Sequence, residues 1–124
     1  MPVLDEAGQI EATLAALAPL RRRGVELSVV DGGSQDGTVA LARAEADAVL
    51  DAPRGRARQM NAGAAAARGE VLLFLHADTI LPTEADRHVL RAVAGGRDWG
   101  RFDVRIAGRP PMLRVVAMLM NWRS

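Results

Sequence analysis

Apolar residues recur along the chain in blocks whose spacing alternates between helical and extended. Ile10, Leu14 and Leu17 stand four and three residues apart, one face of a helix. Arg21-Arg22-Arg23 and Gly24 supply its C-terminal signal, and the three arginines read as a solvated helix end. Val25 to Val30 reads as a strand closing on Asp31. Gly32-Gly33 turns the chain, and Ser34 is placed to cap a helix over about Thr38 to Glu45. Ala48-Val49-Leu50 predicts a short strand, and Arg56 to Arg68 a helix with Met60, Ala64 and Ala67 on one face. Val71 to Leu75 is apolar throughout, the mark of a strand covered on both faces. Thr83 and Asp86 have the spacing of a capping box for a helix to about Ala94, which Gly95-Gly96 ends. Trp99 to Ile106 alternates, with Phe102, Val104 and Ile106 on one face, and predicts a half-buried strand.

The last segment, Pro110 to Trp122, is apolar on nearly every face. Burial is its first reading; a membrane-surface or partner-facing helix is the second. With a short first strand ending at Leu4, the order is β-α-β-α-β-α-β-α-β-α. Such alternation predicts an α/β fold: a mainly parallel open sheet with helices on both faces. A single domain over 1–124 is expected. The first strand has barely three residues and the last helix no closing signal, so the chain reads as cut at both ends.

Composition narrows the chemistry. The balance of 49% apolar and 25% charged residues is that of a globular protein, and a net charge of +1 argues against a nucleic-acid partner. Cys is absent, which removes disulfides, thiol nucleophiles and Cys-based zinc sites. All 16 basic residues are Arg, which excludes Schiff-base, Walker and general-base lysines. No secretory signal opens the chain and no run approaches the ~18 apolar residues of a membrane span, so a cytoplasmic location is expected.

Ligands of an open parallel sheet bind beyond the carboxyl ends of its strands. The residues that follow the predicted strands are Asp5 and Glu6; Asp31, Gly32 and Gly33; Asp51, Pro53, Arg54 and Gly55; and His76, Ala77 and Asp78. Glycines let a ligand approach the backbone at Gly32, and Asp31 is suited to accept hydrogen bonds from a base or ribose. Asp36-Gly37-Thr38 is similar to the start of an aspartate-nucleophile phosphatase motif, but the second Asp such enzymes need is absent, and Asp36 reads as a helix cap. His76 and Asp78 lie two apart, so an extended segment points both the same way, where a divalent cation and diphosphate oxygens can meet them. Arg54, Arg56 and Arg58 crowd a helix start, where cations oppose the dipole unless an anion is near.

Four motifs, P-V-L-D-E (2–6), V-V-D-G-G-S-Q-D-G-T (29–38), R-G-R-A-R-Q-M-N-A-G (54–63) and L-H-A-D-T (75–79), resemble family 2 glycosyltransferases in order and spacing. More narrowly, the chain resembles the bacterial rSAM/selenodomain-associated transferase 2 subgroup. The resemblance implies the N-terminal, donor-binding part of a GT-A fold. It also implies a nucleotide-diphosphate-sugar donor, with a lean to UDP, and inverting transfer to an unknown acceptor with Mg²⁺ or Mn²⁺. By position, Pro2, Glu6 and Asp31 would line the nucleoside pocket with Gly32, and Arg58 and Asn61 would lie near the nucleotide. Asp78 would match the last Asp of the family's D-x-D metal motif, with His76 where the first Asp usually stands. The family's general base would lie beyond Ser124. The alternative is a nucleotide-sugar-binding module without transferase activity. The C-terminal helix is the expected site of any peripheral membrane contact or homodimer.

Overall fold

The computed structural model describes residues 1–107 and 112–122. The chain divides into two compact units, Met1–His88 and Val89–Ser124.

The first unit is built on a three-stranded parallel sheet: β1 (Pro2–Val3), β2 (Ser28–Asp31) and β3 (Ala48–Asp51), in that order. Pro2 lies opposite Val30, and Val30 opposite Leu50, so β2 is the central strand. Successive side chains of a strand point to opposite faces, and Val29 and Val30, both fully buried, show where the helices go. Val29 packs in one cluster with Ile10 and Leu14 of α1 (Ile10–Arg21) and Ala42 of α2 (Thr38–Glu45). Val30 meets α3 (Arg56–Ala66) at Gly63, where an added Cβ would stand 3.0 Å from a Val30 methyl. Helices therefore cover both faces, and the architecture is α/β, as the alternating pattern predicts.

Helix α1 follows its spacing: Ile10, Leu14, Leu17 and Leu20 are its buried residues. Its arginine run is only partly solvated. Arg21 forks onto Asp47 (Nη2 to Oδ1 2.6 Å), and Arg23 onto Asp86 (Nε to Oδ2 2.6 Å, Nη2 to Oδ1 2.7 Å). Arg23 also donates to the Thr83 carbonyl, so Asp86 is held by Arg23 rather than closing a capping box. Helix α4 accordingly starts at Ala85 and runs to Ala94. In α3 the buried position is Gln59; Met60, Ala64 and Ala67 are only half-buried, because the close approach to β2 falls at Gly63.

Two predicted strands do not form. Val71 to Leu75 has no strand partner among the described residues, and its side chains stay exposed up to Leu75, which is buried. A strand exists by its neighbour's backbone, and the short β1 offers two residues, one of them a proline with no N–H for a ladder. Ala77 nevertheless joins the core cluster, and its carbonyl accepts the Thr13 hydroxyl at 2.6 Å.

In the second unit, the segment predicted as a strand over 99–106 has no ladder either. A side chain takes the place of a neighbouring strand: Asn121 Oδ1 accepts the Val104 N–H at 2.8 Å, and its Nδ2 donates to the Val104 carbonyl at 3.0 Å. Helix α5 (Met112–Trp122) carries that asparagine. The predicted start at Pro110 lies outside the described residues. The expectation of a buried helix is overturned: Ala117 is its buried residue, while Met112, Val115, Met118, Leu119 and Trp122 are exposed.

Candidate active site

Two loops at the carboxyl ends of β1 and β2 are stitched together by hydrogen bonds. Asp5, in the left-handed region at φ 53°, donates its N–H to the Ser34 hydroxyl (2.9 Å) and accepts the Gln35 N–H on Oδ1 (2.8 Å). Glu6 N–H donates to the Thr38 hydroxyl at 2.8 Å, and Ala7 N–H to Asp36 at 2.9 Å. Asp36 also accepts the Thr38 N–H at 3.1 Å, which is the capping role expected of it; the Thr38 hydroxyl and the Ala7 N–H hold its carboxyl below the ordinary carboxylate range. Ser34, expected to cap α2, instead donates its hydroxyl to Asp31. The α2 N-cap position is Gly37, at φ 90°.

Asp31 is buried beneath this turn and accepts the N–H groups of Gly33 (2.8 Å) and Ser34 (2.9 Å) as well as the Ser34 hydroxyl. Burial pushes its carboxyl up, but the Ser34 and Gly33 donors outweigh burial and hold it below the ordinary value.

Beside these loops lies an open cleft of about 280 Å³. Pro2, Val3, Leu4 and Glu6 line it from β1 and the loop after it, Arg54, Gly55, Arg56 and Gln59 from the loop into α3 and its first turn, and His76, Ala77 and Asp78 from the chain beyond. Of the residues singled out in the sequence, the cleft brings together Pro2, Glu6, Arg54, Gly55, Arg56, His76, Ala77 and Asp78. Asp31, Gly32, Arg58 and Asn61 do not line it. Gly32 packs against the Gln59 amide, and Arg58 and Asn61 are exposed on α3.

Gln59 was assigned no role in the sequence, although it sits inside a quoted motif. Its buried amide nitrogen, Nε2, donates to the Val3 carbonyl (2.8 Å) and the Val30 carbonyl (2.9 Å). Its Oε1 accepts the Gly55 N–H at 3.4 Å. One side chain thus ties the ends of β1 and β2 to the first turn of α3, under the floor of the cleft. A long polar residue on the sheet-facing side of a helix was the available signal.

Arg54 and Arg56 form no ion pair among the described residues, and α3 has no side-chain cap at its N-terminus. Two guanidinium groups and a helix start therefore face a shared opening with their donors uncommitted, a setting that favours anions. The cleft is also lined by Glu6, whose carboxylate takes the Gln9 side-chain amide, and by Asp78, which among the described residues takes the hydroxyl of Thr79 (3.2 Å).

The family model for glycosyl transferase family 2 matches residues 1–120. The chain belongs to glycosyl transferase family 2. No curated protein and no solved structure matches it significantly. The α/β fold with a parallel sheet is consistent with the GT-A type of this family.

Divalent metals are common in family 2 transferases, and the cleft can be tested for fit. No group of three His, Asp or Glu side chains is gathered to hold an ion among the described residues. Asp78 and His76 do share the opening, with Arg54 and Arg56 lining it too. That set fits a hard cation held by one carboxylate and completed by phosphate oxygens and water, as Mg²⁺ commonly is, and does not fit a preformed all-protein cage.

Proposed function

We propose that the cleft is the donor site of a sugar transferase that takes a nucleoside diphosphate sugar, with UDP as the expected nucleotide. One observation carries the reading: residues from three separate stretches, Pro2 and Glu6, Arg54 and Arg56, and His76 and Asp78, meet in one opening at the carboxyl end of the sheet. In this reading Pro2 and Glu6 face the nucleoside. Asp31 and Gly32 act from behind, by shaping the turn beside it. Arg54, Arg56 and the first turn of α3 receive the diphosphate, and Arg58 and Asn61 continue that basic and polar edge along the helix. Asp78, with His76, holds Mg²⁺ or Mn²⁺ carried by the diphosphate. A bound divalent ion neutralises charge on the departing diphosphate. The guanidinium groups supply the same kind of stabilisation from fixed positions. Transfer with inversion, and membership of the rSAM/selenodomain-associated subgroup, rest on the resemblance of the four motifs.

A thermal-shift titration tests the donor site. UDP, GDP, ADP and CDP are added with and without Mn²⁺ to the protein and to Asp78→Ala. Ligand at about 100 times its Kd stabilises the native state by ~2.7 kcal/mol. The expected outcome is a raised Tm with one diphosphate, dependent on Mn²⁺ and absent in Asp78→Ala. Cooperative melting with no shift for any nucleotide overturns the reading. A second reading, nucleotide-sugar binding without transfer, is favoured by the cleft holding no carboxylate other than Glu6 and Asp78 among the described residues. Binding without release of free nucleotide from any donor sugar in the presence of acceptor extracts would select it.

A further inference from the structure

We infer that the second unit docks on an anionic lipid surface through helix α5, lying on that surface rather than crossing it. The helix exposes more apolar surface than a water-facing helix does. Its inward stripe, at spacings of four, is Leu113, Ala117 and Asn121, of which Ala117 is buried and Asn121 is bonded to the Val104 backbone. The faces turned outward carry Met112, Val115, Met118, Leu119 and Trp122, all exposed. A soluble surface helix puts its apolar residues inward and its polar ones outward. Here the inward stripe holds Leu113, Ala117 and a half-buried asparagine, and the larger apolar side chains are left outside, the arrangement of an element whose outer solvent is hydrocarbon.

Charge identifies the occupant. From Val89 onward the sequence holds seven Arg against two Asp and no Glu; before it, nine Arg stand against thirteen Asp and Glu. The excess positive charge therefore belongs to the unit that exposes the apolar helix. Arg105 and Arg114 are exposed on it, and Arg114 interrupts the outward faces of α5 itself. Basic residues beside an apolar helix are what binding to anionic headgroups requires. Trp99 and Trp122 are 84% and 85% exposed, and tryptophan is the side chain enriched where headgroups meet acyl chains. At 11 residues, α5 is too short to span a bilayer, and no helix among the described residues is long and apolar enough to do so. Nucleotide binding in the first unit plays no part in this inference.

The second unit reports on itself without a label, because both Trp residues lie in it, Trp122 on α5, and the protein has no Tyr. The experiment follows tryptophan emission and flotation of the full chain with vesicles of phosphatidylglycerol and phosphatidylcholine, against vesicles of phosphatidylcholine alone. The expected result is co-flotation with the anionic vesicles, a blue shift of emission, and quenching by brominated acyl chains. Binding should weaken several-fold when salt is raised to about 1 M, where the Debye length falls to ~3 Å. It should be lost in Met118→Glu/Leu119→Glu, two exposed positions, with the melting curve unchanged; Arg114→Glu should weaken it separately. No flotation at low salt overturns the inference. So does equal binding to neutral vesicles. A concentration-dependent blue shift in lipid-free buffer with a dimeric mass also overturns it, and would give the face to a second copy.

Discussion

Asp5 shows how one residue's backbone preference shapes the loops beside the cleft. At φ 53° it occupies a region that Asn and Asp enter far more readily than branched residues. Asp5→Asn should keep the Oδ1 acceptor for Gln35 and leave stability nearly unchanged, whereas Asp5→Val should cost about 1–3 kcal/mol in urea unfolding. Gln59 works through its amide. Gln59→Leu removes two hydrogen bonds to buried carbonyls and should cost about 1–3 kcal/mol. Gln59→Glu keeps the shape but turns a carboxylate oxygen toward those carbonyls, so it should destabilise more than Leu; a smaller loss for Glu would refute the amide's role as donor. The sequence displayed Asp31 as a prominent strand-end carboxylate but not that its own turn would engage it. Side-chain destinations depend on which backbone N–H groups the fold leaves nearby.

At the level of elements, hydrophobic spacing and helix-end signals located all five helices and the first three strands, with β2 starting at Ser28 rather than at Val25. Except in α4 and α5, whose larger apolar side chains are mostly exposed, these are segments whose apolar face meets a partner close in sequence. Leu14, fully buried between α1 and the sheet, should cost about 2–5 kcal/mol when changed to Ala, read as a shift of the urea midpoint with an unchanged slope. Val71 to Leu75 and 99–106 failed as strands for one reason. Apolar runs and alternation report what a side chain prefers, while a strand also needs a neighbour at hydrogen-bonding distance. At Val104 that neighbour is an asparagine side chain. Asn121→Ala should remove both bonds to Val104 and speed its amide hydrogen exchange, with little change in the first unit.

Across the molecule, stability depends on carboxylates that are more acidic when folded. The hydrogen bond from Arg23 holds Asp86 down to about 2, and Arg21 with the Leu27 N–H lowers Asp47. A carboxylate with a lowered folded pKa contributes fully above its unfolded value of 3.8 and loses its contribution as pH falls through the folded value. Stability should therefore decline between about pH 4 and 2, and Asp86→Asn should flatten that decline. An unchanged slope in Asp86→Asn would show that the Arg23 pair does not govern acid unfolding. The same pair joins the end of α1 to the start of α4, so its loss should also lower Tm at neutral pH.

The α/β class, the helix positions and the stretches from which the cleft is drawn are legible in the order of residues alone. These follow from local periodicity and from the rule that parallel strands end where ligands bind. Composition likewise shows what chemistry is excluded, since a chain without Cys or Lys cannot supply it. Which of the expected residues share an opening was set by long-range packing. It set Pro2, Glu6, His76 and Asp78 around the cleft with Arg54 and Arg56, withdrew Asp31 into a turn, and gave Gln59 its place beneath the floor. It also left the larger apolar side chains of α5 outside, while its half-buried asparagine bonds Val104. These outcomes depend on contacts between segments far apart in the chain, and periodicity along the chain carries no information about distance across it.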